Sequence, residues 1–198
     1  MRRAIVATAV LALAAAPAPA HAQPSDDEIR GLVAVSFGMR GNQGGVLEGG
    51  FRLMMVAALL TPVVDVGLSL DRQIGFDNRV VDDEGDVARW SEWVAALRVG
   101  RRFPLTKGFR AQALAGVAML HTRVTGPVGV PAPLVDNALN LGADVAAGLA
   151  WYSESLVVNL SFGATVVPSS QELVVDVARY DLPARAELWT GLGIGFTL

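Results

Sequence analysis

Residues able to do chemistry are few in this chain, and their spacing excludes most reactions. The two histidines are His21 and His121, and there is no cysteine. Two positions beyond His121 stands Arg123 rather than a serine, while Thr122 points to the opposite side of an extended chain. No Gly-x-Ser-x-Gly turn is present. Without a base beside a hydroxyl nothing activates a nucleophile, so no catalytic residue, cofactor or metal is expected. His121 reads as an ordinary polar-apolar residue near a strand end. The acidic run Asp82-Asp83-Glu84-Gly85-Asp86, with Asp77 nearby, lacks the spacing of a calcium loop and reads as solvated. A third group is larger. Arg30, Arg52, Arg98, Arg102 and Arg110 stand with Glu48, Asp65, Asp71, Glu92 and Asp144 at alternate positions of extended segments. Equal numbers of each sign suit an ion-paired array, provided the segments face one another.

Those segments are legible from their period. Side chains of a strand alternate between two faces, and eight stretches of the chain alternate in this way. They run at about 29–40, 46–59, 64–76, 90–102, 109–122, 139–151, 156–167 and 188–198. The sixth is the cleanest: Leu139, Leu141, Ala143, Val145, Ala147, Leu149 and Trp151 oppose Asn140, Gly142, Asp144, Ala146, Gly148 and Ala150. In the last, Leu188, Leu192, Ile194, Phe196 and Leu198 share one face, against Gly191, Gly193, Gly195 and Thr197. The second stretch is apolar on both faces in its lower half. Helix competes for the alanine-rich fifth and sixth, but Gly116, Gly142 and Gly148 would each cost it about 1 kcal/mol. Strand is expected throughout.

A soluble strand hides its apolar face and shows charge. Here the faces opposite the apolar rows of the seventh and eighth stretches carry no charge, which argues against them as a solvated surface. The reverse arrangement fits: apolar residues turned to lipid, small and charged ones to a crowded lumen. Composition agrees, with 52% hydrophobic residues and a mean hydropathy of +0.42. No apolar run beyond residue 22 is long enough for a membrane helix; Pro62 and Asp65 interrupt the best, 53–70. Basic residues are arginines except Lys107, which suits fixed internal ion pairs. A net charge of -3 gives no reason to expect nucleic acid.

Residues 1–22 read as a cleaved signal peptide. Arg2 and Arg3 precede an apolar run, and Ala20-His21-Ala22 fits a cleavage site. Residues 23–198 then form one exported barrel domain. Short inner turns (60–63, 103–107, 153–155) alternate with mostly longer outer loops (41–45, 77–89, 125–137, 168–187), and an even strand count brings both termini to the inner side. Phe103, Phe109, Trp151 and Phe196 are expected in an inner aromatic girdle, and Phe76, Trp90, Trp93 and Trp189 in an outer one. In loop 168–187 the alternation of Leu173, Val175 and Val177 is expected to extend a hairpin beyond the membrane, with a partner-binding patch as the alternative.

Together these patterns resemble the small eight-stranded outer-membrane barrels of the OmpA/OmpX type, over nearly all of residues 23–198. The resemblance implies an all-β, antiparallel, up-and-down transmembrane barrel in the outer membrane of a Gram-negative bacterium. It implies outer-membrane lipid and lipopolysaccharide as surroundings; divalent bridging to the latter is a second reading of the carboxylates at 82–86. It also implies assembly machinery that reads the C-terminal strand, here Leu192, Ile194, Phe196 and Leu198; the family's aromatic last residue is replaced by Leu198. Some barrels of this kind modify lipid A using a His and a Ser two residues apart, which His121 and Arg123 do not match. The expected role is structural or surface-interactive, through loops 77–89, 125–137 and 168–187, with the lumen filled by ion pairs. A small pore controlled by Arg98 or Arg102, or a soluble periplasmic ligand-binding barrel, are the alternatives.

Overall fold

The structure is a computed structural model and describes residues 29–43, 50–74, 79–81, 87–126, 134–153, 155–175, 178–182 and 184–198. Among these residues there is no helix. The strands are β1 (Arg30–Gln43), β2 (Gly50–Leu60), β3 (Asp65–Ile74), β4 (Arg79–Val81), β5 (Val87–Thr106) and β6 (Phe109–Gly126), then β7 (Leu134–Ser153), β8 (Leu156–Val167), β9 (Gln171–Val175), β10 (Ala178–Leu182) and β11 (Arg185–Thr197).

Eight of them close a ring. Chain neighbours β1, β2, β3, β5, β6, β7, β8 and β11 pair antiparallel in that order. The ring shuts where β11 pairs with β1, from Leu32 opposite Thr197 to Gln43 opposite Ala186. Closure removes both sheet edges, so every ladder hydrogen bond has a partner without water. This is the expected all-β, eight-stranded antiparallel barrel.

The period-two rows fall on the expected sides. Phe37, Leu141, Leu160, Leu192, Ile194 and Phe196 are all more than half exposed on the outside. Asp71, Glu92 and Asp144 are buried inside. A soluble barrel with its apolar face inward would need the opposite assignment.

Several boundaries differ from those expected of the sequence. The inner turn expected at 103–107 tightens to Lys107–Gly108, where Gly108 takes a positive φ of 83° that other residues resist. At the outer end β5, β6 and β7 run past the expected loop limits, to 87, 126 and 134. A hairpin does extend from loop 168–187, but as a separate two-stranded sheet of β9 and β10. Its apolar face is not displayed. Leu173, Val175, Tyr180 and Leu182 pack on Ala88, Trp90, Val124 and Ala138. Those four barrel residues share the lumen face, so the hairpin folds over the outer mouth beside β5–β7. Gln171 Nε2 donates to the Leu139 carbonyl (2.9 Å) and the Val174 amide to Asp136 Oδ2 (2.9 Å), which fastens it there.

The outer aromatic girdle is corrected too. Trp90 and Trp189 are buried in the lumen, because each shares its strand's inward parity. Trp93 is exposed outside as expected, and Phe76 lies outside the described residues. At the inner end Phe109, Trp151 and Phe196 face outward.

Candidate functional site

The lumen is where charge gathers, and strand parity brings it there. Arg40 of β1 reaches across to Glu92 of β5 (3.1 Å) and pairs with Glu187 of β11. Arg185 of β11 closes the circuit, with Nη2 on Glu92 Oε2 (2.6 Å) and Nε on Glu187 Oε1 (2.6 Å). Two arginines and two carboxylates thus alternate around a ring. Asp71 ties this ring to Arg52, accepting from Arg40 (3.5 Å) and from Arg52 Nη2 (2.5 Å). Arg98 Nε donates to Asp144, and Arg98 Nη1 to Ser69 Oγ (2.8 Å). Hydroxyls fill remaining acceptor positions: Thr122 donates to Glu92 (2.8 Å) and Thr165 to Asp144 (2.7 Å).

The layer balances its own charge. Arg40, Arg52, Arg98 and Arg185 stand against Asp71, Glu92, Asp144 and Glu187, all buried. Nearer the inner mouth, Arg102 Nε meets Asp65 Oδ2 (2.7 Å), and its Nη2 donates to the Thr61 carbonyl (3.3 Å). Charges taken out of water this completely are tolerable only as mutual partners, since stranding one costs about 3–5 kcal/mol.

Trp189 forms the centre of the layer. The Arg52 guanidinium lies 4.1 Å and that of Arg98 5.0 Å from its ring centroid, both within cation–π range. Room for the indole comes from β8: a Cβ at Gly163 would collide with the Trp189 ring. Gly163→Val is therefore expected to lower barrel stability by about 1–3 kcal/mol, measured by urea titration in lipid vesicles. A neutral result would mean that both the indole and the Val145 carbonyl, which the new Cβ would also meet, can move aside.

Not every expected residue joins the layer. Arg52, Asp71, Glu92, Arg98 and Asp144 meet there, and Asp65 with Arg102 forms the inner pair. Arg110 sits at the inner mouth and donates to the carbonyls of Thr106 (3.4 Å) and Phe109 (3.1 Å). Arg30 lies half-buried at the inner end of β1, away from the layer, and Glu48 lies outside the described residues. Sequence reasoning missed Arg40, Arg185 and Glu187. The last two fall within the stretch expected to be a loop, ahead of an eighth strand whose inward face carries no charge. The parity of that strand, followed back from Gly191, passes through Trp189, Glu187 and Arg185, and this is the signal that finds them.

His121 projects from the outer wall, opposite Trp93 and Leu139 on the neighbouring strands. Thr122 points into the lumen, where its hydroxyl binds Glu92. Imidazole and hydroxyl are on opposite sides of the sheet and cannot act together. The acidic run 82–86 and Asp77 lie outside the described residues, as does the expected signal peptide. Among the described residues no group of His, Asp and Glu is placed to hold a metal ion.

No family model and no curated protein matches the chain. Solved structures do. Neisserial surface protein A (NspA) superposes with a TM-score of 0.62 at 7% identity, over 84% of this chain and 96% of that one. Ail, the attachment invasion locus protein of Yersinia pestis, solved with the heparin analogue sucrose octasulfate, gives 0.55 at 10% identity, over 86% and 99%. Sequence has diverged while strand number, closure and span coincide, so the chain has the small eight-stranded barrel fold of these two proteins.

Proposed function

We infer that the protein is an outer-membrane barrel, exported behind a cleaved leader at 1–22, whose role is to present its outer loops at the cell surface. What carries this reading is the pairing of an exposed apolar belt with a buried charged interior. In water that belt would be a severe aggregation hazard; in hydrocarbon it is the required surface. Outer-membrane lipid and lipopolysaccharide are then its surroundings. The assembly machinery would read β11 through Leu192, Ile194, Phe196 and Leu198, all exposed on the outer face.

The lumen supports a plug rather than a pore. The ion-paired layer spans the barrel from β1 to β5 and β11, and the β9–β10 hairpin packs on the β5–β7 side of the mouth above it. No described feature favours a continuous wet path or catalysis. Interaction therefore falls to loops 77–89, 125–137 and 168–187. Ail, which shares this fold, was solved in complex with the heparin analogue sucrose octasulfate. The acidic run 82–86 of this chain argues against a polyanion at that loop. An epitope inserted within 82–86 is expected to bind antibody on intact cells, whereas one following Leu198 should bind only after permeabilisation. Labelling of the C-terminal epitope on intact cells would reverse the topology.

A further inference from the structure

The inner half of the lumen is built differently from the outer half. The face of β2 opposite its exposed row carries Met54, Val56 and Ala58, the feature that makes this stretch apolar on both sides. With Leu114 of β6, Ala150 of β7 and Val157 of β8 they line a cavity of about 70 Å³. Its outer end includes Arg98, Trp189, Ser69 and Ser161, and its inner end Asp65 and Tyr152. The chamber is mostly aliphatic on its walls, with Gln112 and Asn159 among them, and its ceiling holds the Arg98 guanidinium, which is paired with Asp144.

That ceiling has hydrogen-bonding capacity left over. Arg98 Nη2 and Trp189 Nε1 are buried without a partner. These two atoms are donors only, so at that end an occupant must bring an acceptor; Asn159 Oδ1, on the wall, is a buried acceptor that also has no partner. Beside a guanidinium the favoured acceptor is an anion, ideally a carboxylate. The walls ask for an apolar body attached to it. At roughly 10–15 Å³ of such space for each water-sized group, the volume holds about five to seven.

We propose that this chamber binds a short-chain aliphatic carboxylate of about two to four carbons. The carboxylate accepts from Arg98 Nη2 and Trp189 Nε1, and the alkyl end lies among Met54, Val56, Ala58 and Leu114. Asp65 borders both this chamber and the cleft at the inner mouth lined by Thr61, Arg102 and Arg110, which makes the inner mouth the nearer approach. The proposal concerns the interior alone and stands whichever partner the outer loops have.

The test uses the full barrel in detergent micelles with its tryptophan indoles labelled with nitrogen-15. The Trp189 indole signal is identified by its loss in Trp189→Phe. Titration with propionate is expected to shift that signal saturably, with a dissociation constant of roughly 1–10 mM. Propanol, which has the body without the charge, and chloride, which has the charge without the body, should each bind at least about tenfold more weakly. Ala150→Leu fills the chamber without touching an ion pair and should abolish the shift; Ala58→Leu serves if that variant does not fold. Ligand-observed carbon-13 propionate spectra should show weaker binding to Trp189→Phe, which keeps an aromatic ring but a smaller one and lacks the N–H. A non-saturating shift, equal shifts with chloride, or a shift surviving both filling variants would overturn the proposal and leave a chamber holding water.

Discussion

Replacing Glu92 with leucine is expected to cost about 3–5 kcal/mol of barrel stability, among the largest effects of any single lumen substitution. Glu92 is fully buried and receives Arg185, Arg40 and the Thr122 hydroxyl. Its removal strands positive charge in the packed interior, because the two arginines then keep only Glu187 and Asp71 between them. The companion experiment sharpens this. Glu92→Leu combined with Arg185→Leu deletes one charge of each sign and leaves Arg40 paired with Glu187. The double variant should therefore be more stable than the single one, a non-additivity that independent sites do not show. Urea titration of both in lipid vesicles measures it. Additive costs, or a cost near zero for the single variant, would mean that water reaches the layer and screens it.

The second large effect lies on the outside. Leu160 of β8 is 52% exposed, midway along its strand, between Leu149 of β7 and Leu192 of β11. Leu160→Arg should cost about 2–4 kcal/mol if that position faces the middle of a bilayer. Leu105, equally exposed at the inner end of β5, should accept arginine for about 0–1 kcal/mol, because a charge there reaches the interface. The contrast between the two matters more than either value. Exposed leucines on a water-facing wall would tolerate arginine at both sites.

Much of the barrel is legible in the sequence because its signal is local. A strand's parity needs only a few residues, so Asp71, Glu92, Arg98 and Asp144 can be placed inside from their immediate neighbours. Closure is also foreseeable, since an apolar row on every strand leaves no other face to bury the charges. What escapes is set by contacts distant in sequence. Arg185 and Glu187 precede the glycine-rich run that marks β11, and a polar-looking stretch after Pro183 reads as loop until its parity is continued. Residue type alone sends Trp90 and Trp189 to a girdle, although their parity puts them inside. The β9–β10 hairpin is recognisable by its alternation, but which way its apolar face turns depends on Trp90 and Val124, far away in the chain. The apolar chamber has a sequence signal, the doubly apolar half of β2, with no local rule to interpret it.

The most direct test of the central claim is electrophoretic. Protein from an outer-membrane fraction is run on an SDS gel with and without boiling. A closed barrel embedded in that membrane keeps its strand ladder in SDS until heated, so the two samples should migrate differently. Identical mobility, with the protein recovered from the soluble periplasmic fraction, would contradict the account and require the apolar belt to be covered by something other than lipid.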